Sequence, residues 1–332
     1  PHAVAGHIVV PGFAGGTANT EFDVLTGMQT NALAAGTTSS FRVVNRNLDS
    51  LFRVFGGDGY HTSFFHPGDD WFYNRENGYG WLARFADNEA LTYTLGDASH
   101  AYDSIRTPFW IDRMEKSEVA CTPENGIGDP GVTRFRRHFL FLKPDVIVVY
   151  DELEAREPVA WTWLLHSHNR MAQAGENAVA ASNGAAEGRM ELFTSGELTL
   201  NLTDRFFSPA INWKKRTGPD GRVQEYVNHW HAEFTIAAKS RAQRFLAVFR
   251  ITPEGRKPLT LKCGAKGRVT VGGWSVSAEL DASKPASLSV TDRRGNAVLY
   301  NTPASETAGS TVVRRRGEPA RELVDVVPAS VR

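Results

Sequence analysis

Two histidine pairs stand out by their spacing. His166 and His168 lie two residues apart, and so do His229 and His231, each pair within a stretch that reads as a strand. Side chains alternate across a strand, so each pair projects both imidazoles from one face, an arrangement that can chelate a metal. The competing reading of His229 and His231 is the polar face of an amphipathic strand whose other face carries Trp230, Ala232 and Phe234. A further histidine, His66, closes on Asp69 and Asp70 across Pro67-Gly68. That run reads either as the rim of a ligand cleft or as an ordinary turn.

Cations and rings suggest a sugar ligand. Arg134, Arg136 and Arg137 form one basic run and Lys214, Lys215 and Arg216 another. Arginine captures a carboxylate or sulfate with two parallel hydrogen bonds. Trp71, Tyr73, Tyr79 and Trp81 offer ring faces that fit the C–H face of a pyranose. The expected substrate-binding residues are therefore His66, Trp71, Tyr73, Arg134 and Arg136, with solvated strand edges and core packing as the alternatives. No G-x-S-x-G, P-loop or dinucleotide-binding motif occurs.

The elements that must hold these residues are strands. Phe135–Leu142 is extended and aromatic, Lys143-Pro144-Asp145 is a turn, and Val146–Tyr150 is apolar at every position, as in a strand covered on both faces. Trp161 and Trp163 share a face, Val227–Ile236 alternates, and Phe245–Ile251 is another apolar strand. Short alternating strands continue from about residue 258 to 300, and residues 303–332 read as a terminal strand with a loose tail. The expected fold is all-β, a large antiparallel β-sandwich, with residues 1–255 as the main domain and 256–332 as a smaller β segment and tail.

The bulk properties narrow the partners. The 332 residues hold 37 Lys plus Arg against 37 Asp plus Glu, so the balanced charge excludes a global field for gathering nucleic acid. No apolar run reaches the roughly 18 residues that span a membrane as a helix. Thirty glycines and sixteen prolines suit many short strands joined by turns. Cys121 and Cys263 read equally as a disulfide or as two free thiols.

A family resemblance crosses the middle of the chain. Gly96-Asp97-Ala98-Ser99-His100-Ala101-Tyr102, the strand opening at Arg134, the Pro144-Asp145 hairpin and the strand ending in Asp151-Glu152-Leu153 resemble, in this order, the C-terminal sheet domain of the heparinase II/III-like polysaccharide lyases. Trp163-Leu164-Leu165-His166 and Phe245-Leu246-Ala247-Val248-Phe249 are similar to later strands of that domain, and His61–Gly78 to its metal-histidine segment. The likeness covers about residues 55–255.

The resemblance implies β-elimination at a uronic acid, by proton abstraction beside a neutralised carboxylate and protonation of the leaving oxygen. It implies a divalent metal, zinc by preference, for which the matching positions are His7, Asp23 and His61. It also implies an acidic polysaccharide substrate, a helical toroid as partner domain or chain, and a periplasmic or secreted bacterial setting. The family's H-x-H-x-D signature is missing, since Ala5 stands where its catalytic histidine belongs, so the catalytic residues remain unassigned. No toroid is legible in this chain, which is therefore expected to supply a cleft wall rather than a whole active site. A non-catalytic carbohydrate-binding module and an independent cupin-like metal enzyme are the alternatives.

Overall fold

A computed structural model describes residues 79–100, 108–116, 118, 120–122, 131–204, 215–217, 223–225, 229–264 and 267–327. The chain divides into two compact units, one of residues 1–77, 104–128 and 327–332, the other of residues 78–103 and 129–326. The first contains the helix α1 (Pro108–Lys116), with an Asp112–Lys116 ion pair one turn apart on its surface. No described helix is long and apolar enough to cross a membrane.

The second unit is built from strands, and among its described residues every pairing is antiparallel. Its central sheet has eight strands in the order β1 (Tyr79–Asp87), β2 (Leu91–His100), β3 (Val132–Leu142), β4 (Val146–Val159), β13 (Ser240–Pro253), β8 (Ala186–Phe193), β7 (Ala178–Ser182) and β6 (Met171–Gly175). A three-stranded sheet follows the order β5 (Thr162–Ser167), β12 (Trp230–Ile236), β9 (Leu198–Thr203), and β10 (Lys215–Thr217) pairs with β11 (Val223–Glu225). The C-terminal sheet is a meander of seven strands: β14 (Leu261–Cys263), β15 (Arg268–Val271), β16 (Trp274–Ala278), β17 (Leu288–Asp292), β18 (Ala297–Tyr300), β19 (Thr311–Arg314) and β20 (Arg321–Leu323).

Two cores explain the stacking. On one face of the central sheet, Leu91, Tyr93, Leu140, Val148 and Leu246 pack against Val276, Leu288, Val290 and Val298 of the seven-stranded sheet. On the other face, Val149, Phe245, Ala247 and Met190 pack against Trp163, Ala232, Phe234 and Ile236 of the three-stranded sheet. The all-β sandwich expected from the sequence is present, and a third layer extends it. The runs Val146–Tyr150 of β4 and Phe245–Phe249 of β13 are apolar at every position because each lies under both neighbouring sheets. Val146, Val148 and Tyr150 serve one core, and Ile147 and Val149 the other. Each large side chain fully removed from water here contributes about 1.5–3 kcal/mol.

The end of the second unit differs from the loose tail read from the sequence. Val326 donates its backbone N–H to the Ala83 carbonyl at 2.9 Å, and Asp325 reaches two arginines of the central sheet. The two cysteines are free thiols and both are exposed.

Candidate functional site

Strands β1, β2 and β3 extend beyond the three-stranded sheet, so alternate residues along them meet different surroundings. One set faces out. Phe85 pairs across the sheet with Thr94, and Thr94 with Phe139, so the three side chains share a face. Leu82, Gly96 and Arg137 form the next row. Phe85 is 48% exposed, Leu82 44% and Phe139 36%. The two phenylalanines stand two strand spacings apart, about 9.6 Å. Beside them the Arg137 guanidinium lies over the Phe135 ring, 5.7 Å from its centre. The result is a flat strip of aromatic rings with a threonine hydroxyl and a cation.

The residues one step along the same strands turn inward and form a hydrogen-bonded chain under the seven-stranded sheet. Arg84 donates to Thr311 at 2.8 Å, Thr311 and Tyr93 meet at 2.9 Å, Tyr93 meets His138 Nδ1 at 3.1 Å, and His138 Nε2 meets Glu152 at 3.0 Å. His138 is 0% exposed. Burial pushes its pKa down, against the opposing pull of Glu152, and nearby Arg136 and Arg84 lower it further. Burial alone would raise the Glu152 carboxyl, but the His138 hydrogen bond, the Arg134 charge and the Tyr300 hydroxyl together hold it down at about 2. An ionised Glu152 only accepts, so His138 donates to it from Nε2; burial favours the neutral ring, and in that tautomer Nδ1 accepts from Tyr93. Burial pushes the Tyr93 hydroxyl up to about 12, which keeps it a donor. Every proton in the chain thus points one way, from Arg84 to Glu152.

Asp325 closes this network from the far end of the unit. One oxygen accepts from Arg84 at 2.7 Å and the other from Arg136 at 2.5 Å, while Arg136 also pairs with Asp97 at 3.4 Å. A second joint lies on the opposite face. Asp151, nearly fully buried, takes two hydrogen bonds from Arg137, at 2.7 and 2.9 Å, and one from the Trp163 indole at 2.9 Å. The segments carrying the lyase resemblance therefore meet at structural joints: Asp97 with Arg136, and Arg137 with Asp151 and Trp163.

The histidine pairs come together as well. Strands β5 and β12 are neighbours, with His166 directly opposite His231. The rings of His166 and His231 lie 4.5 Å apart and those of His168 and His229 4.0 Å apart, both edge to face. His231 is only 2% exposed, so the polar face expected of this strand is covered at its first turn rather than solvated.

Of the substrate residues expected from the sequence, Arg134 and Arg136 are described. Arg134 is partly exposed and pairs with Glu152 and Glu154, and Arg136 is buried between Asp97 and Asp325. His66, Trp71 and Tyr73 lie outside the described residues, as do the expected metal ligands His7, Asp23 and His61. Among the described residues no group of three or more His, Cys, Asp or Glu is arranged to hold a metal ion. Sequence reasoning passed over Phe85, Phe139, His138 and Glu152. The signal was the alternation Arg136, His138, Leu140, Leu142, which puts a histidine in line with two core leucines.

Comparison with known proteins gives two directions. A family model described as Sulfatase matches residues 3–143. A curated relative from Rhizobium meliloti (strain 1021), described as a putative cyclic beta-1,2-glucan modification protein, is 37% identical over 70 residues, which take in 21% of this chain and 11% of that protein. Among solved structures, the heparan sulfate lyase from Pedobacter heparinus is 10% identical at a TM-score of 0.35, covering 69% of this chain and 28% of that one. A heparinase III is 11% identical at a TM-score of 0.38, covering 66% and 26%. The chain thus spans about a quarter of these lyases, and at such scores the likeness carries no functional argument.

Proposed function

We propose that this chain is part of a carbohydrate-modifying enzyme and that its strand-built unit forms one wall of the groove for an acidic polysaccharide. The observation that carries this reading is the exposed strip of Phe85, Thr94 and Phe139 with Arg137 beside it. Aromatic faces take the C–H faces of sugar rings, and Arg137, half-exposed with its Nε and Nη2 already donating to Asp151, adds a cationic edge beside them rather than a two-pronged grip on an anion. Their separation is about twice the length of one sugar in an extended chain, so the two phenylalanines suit alternate rather than adjacent sugars. The rings sit on strands whose reverse sides are fixed by ion pairs and hydrogen bonds, so little ordering entropy opposes binding. The relative's description as a glucan modification protein supports a carbohydrate ligand.

The strip binds and does not react. His138 and Glu152 are sealed between sheets, and a proton-transfer group must reach the proton it moves. In the finer reading, that of a uronate lyase, the strip is the sheet side of the cleft, the base and acid come from elsewhere in the enzyme, and the metal is a zinc at His7, Asp23 and His61. The Sulfatase match over residues 3–143 favours a second reading, in which the reaction releases sulfate from a sulfated glycan.

Affinity electrophoresis of the full chain through gels cast with heparan sulfate, alginate or an uncharged glucan tests the binding. Retardation by an acidic glycan is expected, weakened at least ~10-fold in a Phe85→Ala/Phe139→Ala variant, since each lost stacking contact is worth about 1 kcal/mol or more. Equal migration of the variant and the parent chain would sink the proposal. Absorbance of unsaturated uronate and assay of free sulfate on the same samples separate the two chemistries.

A further inference from the structure

Arginines in the strand-built unit are commonly matched by acids: Arg84, Arg136, Arg137 and Arg250 each meet a carboxylate. Two adjacent turns of the seven-stranded meander depart from this. Arg293 and Arg294 sit in the turn between β17 and β18, Arg314 ends β19, and Arg316 follows it in the turn to β20. All four are exposed, and no carboxylate among the described residues pairs with them.

The two turns are built as one piece. Ala297 of β18 is the cross-strand partner of Arg314 in β19. Asn296, only 6% exposed, accepts the Arg316 backbone N–H on Oδ1 at 3.2 Å and donates from Nδ2 to Asp292 at 2.8 Å. Asp292 also accepts the backbone N–H groups of Arg294 and Asn296, both at 2.9 Å, so the acid nearest to Arg293 and Arg294 in the chain is taken up by its own turn. Arg315 is matched, meeting Glu318 and Glu89 at 2.8 Å each. The Glu89 contact fastens these turns to the β1–β2 turn, at one end of the strands that carry Phe85 and Thr94. Gly273, Gly295 and Gly317 have open space around them, so this end of the meander is uncrowded.

The 37 cationic and 37 acidic residues of the chain balance, so this group is a local concentration of charge and not a share of a general surplus. Like charges held side by side on ordered turns repel, and an anionic partner relieves that repulsion. Guanidinium groups suit sulfate and carboxylate, whose paired oxygens match their fork of N–H donors.

We infer that Arg293, Arg294, Arg314 and Arg316 form an anion-binding site that takes the sulfate or carboxylate groups of an acidic glycan. The inference rests on the acidic-glycan reading above and deepens it: the strip recognises sugar rings, and these turns select the charged polymer over the neutral one.

Affinity electrophoresis of the full chain against heparan sulfate, alginate and an uncharged glucan tests it with two variants. Arg293→Ser/Arg294→Ser/Arg314→Ser/Arg316→Ser removes exposed side chains that have no partner, and an unchanged thermal melt confirms its fold. Its affinity for an acidic glycan should fall at least ~10-fold while any retardation by the uncharged glucan stays as in the parent. Loss with both acidic glycans assigns carboxylate as well as sulfate, and loss with heparan sulfate alone assigns sulfate; either outcome upholds the site. Acidic glycan binding that falls only in Phe85→Ala/Phe139→Ala overturns this inference and leaves the strip standing. Binding that falls only in the arginine variant upholds the inference and removes the strip, and a parent chain retarded by no acidic glycan overturns both. Equal retardation by duplex DNA, lost in the same arginine variant, overturns the assignment to a glycan.

Discussion

Single residues in this protein divide sharply between display and anchorage, often one position apart. Phe85, Thr94, Arg137 and Phe139 face outward, whereas Arg84, Tyr93, Arg136 and His138 are locked beneath them. Tyr93→Phe isolates one link of the buried chain. Removing the hydroxyl leaves His138 Nδ1 and Thr311 each short of a partner, a loss of about 1–3 kcal/mol. A thermal melt should show the decrease as a drop of several degrees, and glycan retardation by the strip should be unchanged. The chemistry of these residues was only half legible. Arginine-rich β3 reads as a basic edge, because a sequence displays its cations but hides their partners. Asp325, which takes up Arg84 and Arg136, stands 241 and 189 residues from them. The histidine pairs were found by spacing, but that they would face each other depended on which strands become neighbours.

At the level of elements, the alternation and turn signals were the most readable. Val146–Tyr150 was expected to be covered on both faces and is, and the strands from residue 258 to 300 occur where short alternating runs suggested them. The Val271-Gly272-Gly273-Trp274 hairpin shows why. Val271 pairs with Trp274, leaving a two-residue loop with positive φ at both glycines, the geometry favoured by the twist of the flanking strands. Gly267 is more constrained. Its φ is +66°, and a side-chain carbon there would meet the Ala278 carbonyl at 2.5 Å. Gly267→Ala should therefore destabilise by about 2–3 kcal/mol, whereas Gly273→Ala, with open space around it, should cost only about 1 kcal/mol. Chemical denaturation of the two variants side by side checks the difference. The element that departed from its pattern is β12, whose alternation is correct but whose His231 is covered on the face expected to be wet.

For the molecule as a whole, the sandwich was legible and its third layer was not, since no local pattern says which apolar strand will be shared by two cores. The buried acid–base network gives that stack a defined response to pH. His138 has a folded pKa below its unfolded value, so the unfolded chain binds more protons below about pH 6.5, and stability falls as pH drops. Glu152 is held at about 2 against an ordinary value of 4.5, so its contribution, on the order of 3 kcal/mol at neutral pH, is lost as pH falls from about 4.5 toward 2. Urea midpoints measured from pH 7.5 to 3 should fall in two steps, and His138→Phe should remove the upper one. The clamp on Asp325 sets a different kind of limit, on the order in which the protein can be made. Strand β1 leaves the ribosome with Arg84 exposed, and the carboxylate that completes its surroundings is not synthesised until 241 residues later. The strip-bearing edge of the central sheet therefore matures only after the seven-stranded meander has emerged and docked. Until then the nascent chain presents an unfinished strand edge beside a row of exposed phenylalanines, a surface on which chaperones act.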